Sequence, residues 1–213
     1  MALDGRQGPC ADYHHGDLRE TLIQAAMSMI AERGLAGFAL SDLARAVGVS
    51  SAAPYRHFRD RTAVIAEVAR RGFEQLAADL EAARQVGGMD PIGALERCAQ
   101  AHLAFAARDP AVYAAMFEAH FPIGKHPDLV RAREAAFAVI RKAAQSAVSY
   151  GTAPNRPPAQ MVALHVWSLT HGIATLFVRH GEDSQRLLPM APKELLDAGV
   201  MIYLQSLGLL SAA

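Results

Sequence analysis

LSDLARAVGVSSAAPYRHFRDR, residues 40–61, is the stretch that decides the fold of this 213-residue chain. Leu43 and Val47 lie four residues apart, which places both side chains on one face of a short helix. Gly48 follows as a helix stop, because glycine adopts a positive φ without strain. A second short helix is predicted beyond this turn and carries residues 55–58. Helix, glycine-containing turn and short helix form the helix-turn-helix pattern, whose second helix enters the major groove of DNA.

The motif and the start of the following helix supply the side chains that we expect to contact DNA. These candidates are Ser41, Ser50, Ser51, Ala52, Ala53, Tyr55, Arg56, His57 and Arg61. A serine at position 50 or 51 can cap the second helix, whose N-terminal N–H groups favour phosphate. Ala52 and Ala53 offer only methyl contacts, for example to a thymine methyl group. Base-specific hydrogen bonds must therefore come largely from Arg56, Ser51 or Ser41.

The same stretch resembles the TetR family of bacterial repressors. The resemblance is carried by Gly48-Val49-Ser50, Tyr55-Arg56-His57-Phe58 and Asp60-Arg61, together with Ile23, Ala25, Ala26 and Gly34 of the first helix. It is specific because several fixed offsets agree at once. A weaker resemblance links Trp167, His171 and Gly172 to the W…HG signature of one subgroup's C-terminal domain. Residues 13–19 also resemble that subgroup's entry into the first helix.

The resemblance implies a role for several residues of the motif. Tyr55 and His57 are expected to bind phosphate and fix the register on DNA; the alternative is a packed Tyr55 and a solvated His57. Phe58 is expected in the core. Arg61 stands where the family usually has lysine and keeps the charge for a phosphate contact. Ala39 departs from the family, because its methyl group lacks the hydroxyl that commonly caps the next helix and touches phosphate.

Hydrophobic periodicity and chain breakers predict an all-α protein of about nine helices. Besides the two short helices of the motif, the predicted helices cover residues 16–33, 61–86, 91–108, 111–120, 128–150, 159–180 and 192–210. Residues 1–12 are predicted to be a flexible tail, and 13–60 a three-helix head with its helix-turn-helix at about 39–58. Residues 61–213 are predicted to form an effector-binding and dimerisation domain.

Charge and composition restrict the class of protein. The 21 basic side chains balance the 21 acidic ones, so non-specific coating of DNA is not expected. Nearly all basic residues are arginine, which suits bidentate phosphate and guanine contacts. Cys10 and Cys98 suggest reduced thiols, and the N-terminus lacks a signal peptide, so we expect a cytoplasmic protein. Residues 157–178 carry no charge but are interrupted by polar side chains, which favours a helix buried in a core and an interface over a membrane span.

A small α-helical hydrolase or metal enzyme is the alternative class. Residues 48–52 superficially resemble a nucleophile elbow, but that motif needs a preceding strand, and a helix is predicted here. Histidines that could bind metal are His14, His15, His102, His120, His165 and His171. Their spacing matches no HExxH motif and no cysteine pair accompanies them. We therefore predict no enzyme activity, no metal and no cofactor. A ligand sensor that does not bind DNA is the third class, and the intact motif argues against it.

The predicted body helices supply candidates for an effector pocket. These are Phe105, Tyr113, Met116, Phe117, Trp167, His171 and Phe177. Their apolar character predicts a small, hydrophobic or aromatic effector, with Tyr113 and His171 as polar anchors. Trp167 and His171 are one turn apart and share a face with Gly172. Two interpretations of that face stay open: core packing, in which Gly172 permits a close helix approach, or a pocket wall.

The last two long helices predict a homodimer. The helix at 159–180 is uncharged up to residue 178, and the helix at 192–210 is apolar around much of its circumference. A monomer would expose too much of this surface. Pairing both helices with their mates across a two-fold axis would set two recognition helices to bind a palindrome. The sequence therefore predicts a homodimeric transcriptional regulator, a repressor released from double-stranded operator DNA by a small, largely apolar effector.

Overall fold

The computed structural model describes residues 18–120, 122–151, 156–178 and 190–210, and every regular element in these ranges is helical. The eight α-helices there are α1 Leu18–Arg33, α2 Leu40–Ala46, α3 Arg61–Gln85, α4 Pro91–Arg108, α5 Pro110–Phe117, α6 Pro127–Tyr150, α7 Ala159–Val178 and α8 Pro192–Ser206. Two single turns of 3₁₀ helix lie at Pro54–Arg56 and Ile123–Lys125. The all-α prediction is confirmed. The tail predicted at 1–12, residues 13–17, Cys10 and the histidines at 14 and 15 lie outside the described residues.

The predicted second helix of the motif is a single 3₁₀ turn, Pro54–Arg56, rather than an α-helix. Proline explains the difference, because Pro54 has no N–H to donate to the carbonyl of Ser50. That carbonyl instead accepts from Ala53 N–H at 2.9 Å, and the Pro54 carbonyl accepts from His57 N–H at 3.0 Å. Bonds between residues three apart give the tighter helix.

The described residues divide into two compact units between Val64 and Ile65. The core of the first unit is built from α1, α2 and the segment around the 3₁₀ turn. Its buried side chains include Leu22, Ile23, Ala26, Ile30, Phe38, Leu40, Leu43 and Phe58. Gly34 and Gly48 end α1 and α2 with φ of +74° each, a conformation that a residue with a Cβ rarely adopts. Phe58 is buried, as predicted.

Helix α3 begins in the first unit and continues in the second. Asp60 caps it, because Oδ1 of Asp60 accepts a hydrogen bond of 2.8 Å from the Ala63 N–H. Gly87 and Gly88 follow its last turn with φ of +82° and +67°, which glycine adopts readily at the end of a helix. Phe73, Leu76 and other apolar side chains of α3 are buried.

The second unit is a helical bundle in which α4 packs against α6, α7 and α8, while α7 also packs against α6 and α8. Its largest fully buried side chains are Phe73, Phe105, Leu76, Leu80, Leu95, Ile140, Leu196, Leu204 and His102. Cys98 is a free thiol within this core. Among the described helices, none combines the length and the apolar character that crossing a membrane requires.

Candidate nucleic-acid interface and ligand cavities

The helix-turn-helix presents most of the predicted DNA-contacting residues on its surface. Ser41, Ser50, Ser51, Ala52, Tyr55 and Arg56 are exposed, whereas Ala53, His57 and Arg61 are half-buried. Tyr55 leaves 60% of its surface accessible. A tyrosine that packed into the core of this unit would be buried, so the exposed Tyr55 ring does not have that packing role.

The arginines at the end of the 3₁₀ turn and just after it differ in how they are held. Arg61 is anchored, because its Nη1 donates to the Ala36 carbonyl at 3.0 Å. Arg56 and Arg59 are exposed and make no ion pair or hydrogen bond within the described part of the chain. Arg59 was not among the sequence candidates, although its place between Arg56 and Arg61 would have been the signal for it. A guanidinium without a protein partner keeps its donors for phosphate or a base edge.

The start of α2 shows what the alanine at position 39 changes. Ala39 precedes the helix and offers no side-chain cap. Asp42 supplies the other half of a capping box, because its Oδ2 accepts from the Ala39 N–H at 2.8 Å. Oδ1 of the same carboxylate lies 3.4 Å from Nη1 of Arg45. The helix start is therefore stabilised without the hydroxyl that would otherwise touch phosphate.

The larger cavity of the second unit has a volume of about 640 Å³ and lies among α3, α5, α6 and α7. Its lining is mostly apolar and consists of Phe73, Met116, Phe117, Ala119, Leu129, Phe137, Leu164 and Trp167, together with Arg133, Glu134 and Arg141. The volume falls within the range of small-molecule sites, about 300–1,000 Å³.

A smaller cavity of about 350 Å³ shares one lining residue, Phe117, with the larger cavity. Its lining is more polar and contains Pro110, Tyr113, Ala114, Phe117, Glu118, His120, His171 and Thr175. The structure therefore distributes the predicted pocket residues over two cavities: Met116 and Trp167 line the larger, and Tyr113 and His171 the smaller. Phe105 and Phe177 line neither and are buried in the core.

A chain of polar side chains runs from the smaller cavity into the core. The Tyr113 hydroxyl lies 2.7 Å from Nδ1 of His171 and 3.1 Å from Nε2 of His102. The shorter separation fits an O–H donor and the longer an N–H donor. We therefore assign Tyr113 O–H as donor to His171, and His102 Nε2–H as donor to the Tyr113 oxygen. Nδ1 of His102 is then an acceptor with no hydrogen-bond partner among the described groups.

Burial keeps His102 and His171 neutral. His102 is fully buried, and this burial, with a smaller effect of His171, lowers its pKa to about 3. Burial also lowers the pKa of His171 and raises that of the Tyr113 hydroxyl. The His102 ring lies 4.6 Å from the Trp167 ring, centroid to centroid. Within the described residues, no group of three or more His, Cys, Asp and Glu side chains is placed to hold a metal ion.

Helices α7 and α8 carry apolar side chains that the described chain leaves uncovered. The exposed positions of α7 include a row that recurs every three or four residues, at Met161, His165, Ser168, Gly172 and Leu176. Gln160 and Leu164, next to this row, are exposed as well. On α8, Met201 and Ile202 are exposed, the latter at 63%. A Cβ added at Gly172 would meet nothing within 4 Å. Gly172 therefore serves no close packing within the described part of the second unit, while Trp167 and His171 are cavity walls.

Comparisons with known proteins agree with this architecture. The family model for bacterial regulatory proteins of the tetR family matches residues 22–68, and that for the tetracyclin repressor-like C-terminal domain matches residues 95–201. A protein of unknown function from Rhodococcus sp. RHA1 is 31% identical, with 93% of this chain and 99% of that chain covered and a TM-score of 0.79.

Two further solved structures share the fold at lower identity. PfmR, a TetR family transcriptional regulator from Thermus thermophilus, is 22% identical over 86% of this chain and 97% of that chain, with a TM-score of 0.68. AibR in complex with isovaleryl coenzyme A and operator DNA is 15% identical over 87% of this chain and 97% of that chain, with a TM-score of 0.67. A comparison with curated protein sequences finds no match.

Proposed function

Because this chain belongs to the TetR family of DNA-binding transcriptional regulators, we propose that it is a homodimeric repressor that leaves a palindromic operator when a small, largely apolar effector binds. One observation carries the proposal: an exposed helix-turn-helix in the first unit is accompanied by an apolar cavity of about 640 Å³ in the second. The first feature suits DNA, and the second suits an organic effector. In a TetR-family regulator, the DNA-binding helix-turn-helix and the effector cavity are expected to be coupled.

In this proposal the residues of the motif divide into those that position the protein and those that recognise bases. Tyr55, His57 and Arg61 contact phosphate, and the anchored guanidinium of Arg61 keeps further donors for that purpose. Arg56 is exposed and unpaired within the described residues, so it is free to bind a base edge. Arginine binds guanine through two parallel hydrogen bonds, which gives sequence preference.

The effector occupies the larger cavity, where Trp167, Phe73 and Phe117 supply apolar walls. Phe73 belongs to α3, the helix that begins in the first unit. An effector that fits one position of α3 better than another shifts the population toward that position. We propose that this shift changes the separation of the two recognition elements and weakens binding to both half-sites. AibR, whose fold this chain shares, has been solved with an acyl coenzyme A and operator DNA together.

The dimer is proposed to form through α7 and α8. Their exposed apolar side chains would otherwise face water, at a cost of about 25 cal/mol per Å² of apolar surface. Ser168 and Gly172 lie on the exposed face of α7, so a second α7 can approach closely there. Two helices from each protomer then form a four-helix contact related by a two-fold axis.

Selection of DNA from a random-sequence pool by the purified full chain tests the proposal. The expected result is an enriched palindrome whose half-sites lie about one helical turn, or a multiple of it, apart. Affinity for that site should fall steeply as salt rises, because bound phosphates release counterions. Enrichment of a single unpaired half-site would contradict the proposed dimeric recognition, and no enrichment at all would contradict a sequence-specific repressor.

A further inference from the structure

The larger cavity combines a mostly apolar lining with two arginines, Arg133 and Arg141, that have no ion pair or hydrogen bond within the described part of the chain. We infer that its ligand is an organic acid, with an apolar body inside the cavity and an anionic head held by these guanidinium groups. The inference rests on the proposed function, in which this cavity receives the effector, and it names the chemical class of that effector.

One face of α6 creates this combination. Leu129, Arg133, Phe137 and Arg141 recur at every fourth residue, and all four line the cavity. Residues four apart on an α-helix share a face and are separated by about 6 Å along its axis. The two arginines therefore stand on either side of Phe137, about 12 Å apart at the backbone. Both are exposed, so their charged ends lie at the opening rather than in the apolar interior.

The lack of partners distinguishes these two arginines from the others in the second unit. Arginines 70, 71, 84, 97, 108 and 131 form ion pairs with carboxylates. Arg156 donates to the carbonyl of Val148. Arg133 and Arg141 alone, among arginines of the second unit that the structure describes, have neither an ion pair nor a hydrogen bond.

The charge at the opening favours an anion. Glu134 is the one carboxylate among the lining residues, against two guanidinium groups, so the lining carries a net positive charge. A guanidinium binds a carboxylate or phosphate through two parallel hydrogen bonds, which makes the contact strong and directional. The rest of the lining is aromatic and aliphatic and includes Phe73, Met116 and Trp167. An anionic head at the arginines thus places an attached hydrocarbon or aromatic body against surfaces that exclude water.

Binding of three probes with the same hydrocarbon chain tests the head group. Decanoate, 1-decanol and decylammonium are titrated into the full-length protein below their aggregation concentrations. Calorimetry gives the affinity, and the emission of Trp167, the single tryptophan, reports whether the cavity is occupied. We expect decanoate to bind about tenfold more tightly than 1-decanol, because charge-assisted hydrogen bonds are about twice as strong as neutral ones. Added salt should reduce this difference.

Variants of α6 identify the residues responsible. In the double variant Arg133→Gln and Arg141→Gln the preference for decanoate over 1-decanol should disappear, while 1-decanol affinity stays within about twofold of wild type. Both side chains are exposed and glutamine is a good helix former, so the fold is retained. Arg131→Gln is the matched control, since Arg131 is on the same helix but pairs with Asp128 and does not line the cavity. It should keep the preference.

The outcomes separate this inference from the proposed function. Equal affinity for decanoate and 1-decanol, tighter binding of decylammonium, no binding of decanoate, or a preference that survives the double variant would each overturn the organic-acid assignment. If decanoate binds with a preference that depends on Arg133 and Arg141 but leaves operator affinity unchanged, the organic-acid assignment is supported and effector-controlled release is contradicted. Release of the operator by a neutral or cationic compound, with decanoate unbound, would support the proposed function and overturn the assignment.

Discussion

His102, Tyr113 and His171 are polar side chains held where apolar ones are usual. His102 is fully buried, and its ring lies among those of Tyr113, Phe117 and Trp167. The single Tyr113 hydroxyl bonds to both histidines. A buried acceptor without a partner costs about 1–3 kcal/mol, and Nδ1 of His102 has none among the described groups. The arrangement is consistent only with a neutral His102, so acid should destabilise the fold.

The first prediction is a pH dependence of stability that belongs to His102. Its folded pKa of about 3 lies below the ordinary 6.5. The unfolded chain therefore binds the proton first as pH falls, and stability decreases from about pH 6.5 toward pH 3. The contribution of one such group is at most about 1.4 kcal/mol per pH unit. In His102→Gln, which stays neutral and can still donate to Tyr113, the free energy of unfolding should depend less on pH.

Denaturant unfolding at a fixed protein concentration between pH 5 and 7 measures this slope. His171 has a lowered pKa as well and contributes in the same direction, so some slope should remain in the variant. His120→Gln is the control, because the His120 side chain is exposed and its replacement leaves His102 in place. Identical slopes for wild type and His102→Gln would show that His102 is not the neutral buried group proposed.

The second prediction distinguishes base recognition from phosphate binding in the motif. Arg56→Ala should relax the preference at one base pair and weaken operator binding by about 1–3 kcal/mol. Arg61→Ala should weaken binding to all sequences alike and reduce the salt slope by about one. Arg45→Ala, which also removes one positive charge but from a pair with Asp42, is the control and should do neither. A uniform loss for Arg56→Ala, without a change in base preference, would place Arg56 among the phosphate contacts.

At the scale of the elements, helix ends were predictable where proline, glycine or aspartate marks them. Residues 91–108 were expected as one helix and form α4, because Asp90 accepts from the Gly93 N–H and Pro110 disfavours helix at Asp109. The 3₁₀ turn at Pro54–Arg56 was expected to be an α-helix. Its length of one turn is set by competing local hydrogen bonds, and a hydrophobic pattern does not contain that information.

The residues that line the effector cavity were predictable only in part. Aromatic residues of α5 and α7 were expected to form one pocket, but Phe117 separates two cavities and Phe105 lies in the core. The face of α6 with Arg133 and Arg141 was not anticipated. Charged residues on an amphipathic helix usually face water, and only the packing of neighbouring helices shows which of them border a cavity.

The third prediction tests α7 and α8 as the dimer contact. Ile202 is 63% exposed in one protomer, so Ile202→Asp should leave the fold of that protomer intact. If Ile202 faces its mate, the variant buries an unpaired carboxylate and should be monomeric or aggregated, with operator binding lost. Met89→Asp is the control, because Met89 is equally apolar and 97% exposed but lies between α3 and α4.

Sedimentation measures the oligomeric state of both variants. A dimeric Met89→Asp beside a monomeric Ile202→Asp is the expected pair of results. Dimers of normal stability for Ile202→Asp would place Ile202 outside the contact. Met161 and Leu176 are exposed positions on α7, the other helix of the proposed contact. Dimers of normal stability after a charge is introduced at each of them would contradict the proposed interface as a whole.

At the scale of the whole molecule, the proposed release mechanism requires that the effector and the operator DNA each lower the affinity of the protein for the other. If a decanoate-like acid in the larger cavity weakens operator binding, operator DNA must weaken binding of that acid by the same factor, because the coupling free energy belongs to both. Such factors are commonly about 5–150. Trp167 lines the cavity and is the single tryptophan, so its emission follows occupancy by the acid without an added label.

The fourth prediction is therefore a pair of titrations. Decanoate is titrated into the protein alone and into the protein saturated with its selected operator, while operator affinity is measured with and without saturating decanoate. Equal factors in the two directions are expected. Trp167→Phe, whose decanoate affinity is measured by calorimetry because it has no tryptophan, should lose decanoate affinity and coupling more than operator affinity. Removing part of this half-buried ring can also destabilise the fold. Thermal stability of the variant is measured in parallel. Unchanged decanoate affinity in a destabilised Trp167→Phe would show that Trp167 supports the core rather than the ligand. If decanoate affinity is the same with and without saturating operator, the cavity and the helix-turn-helix are not energetically linked.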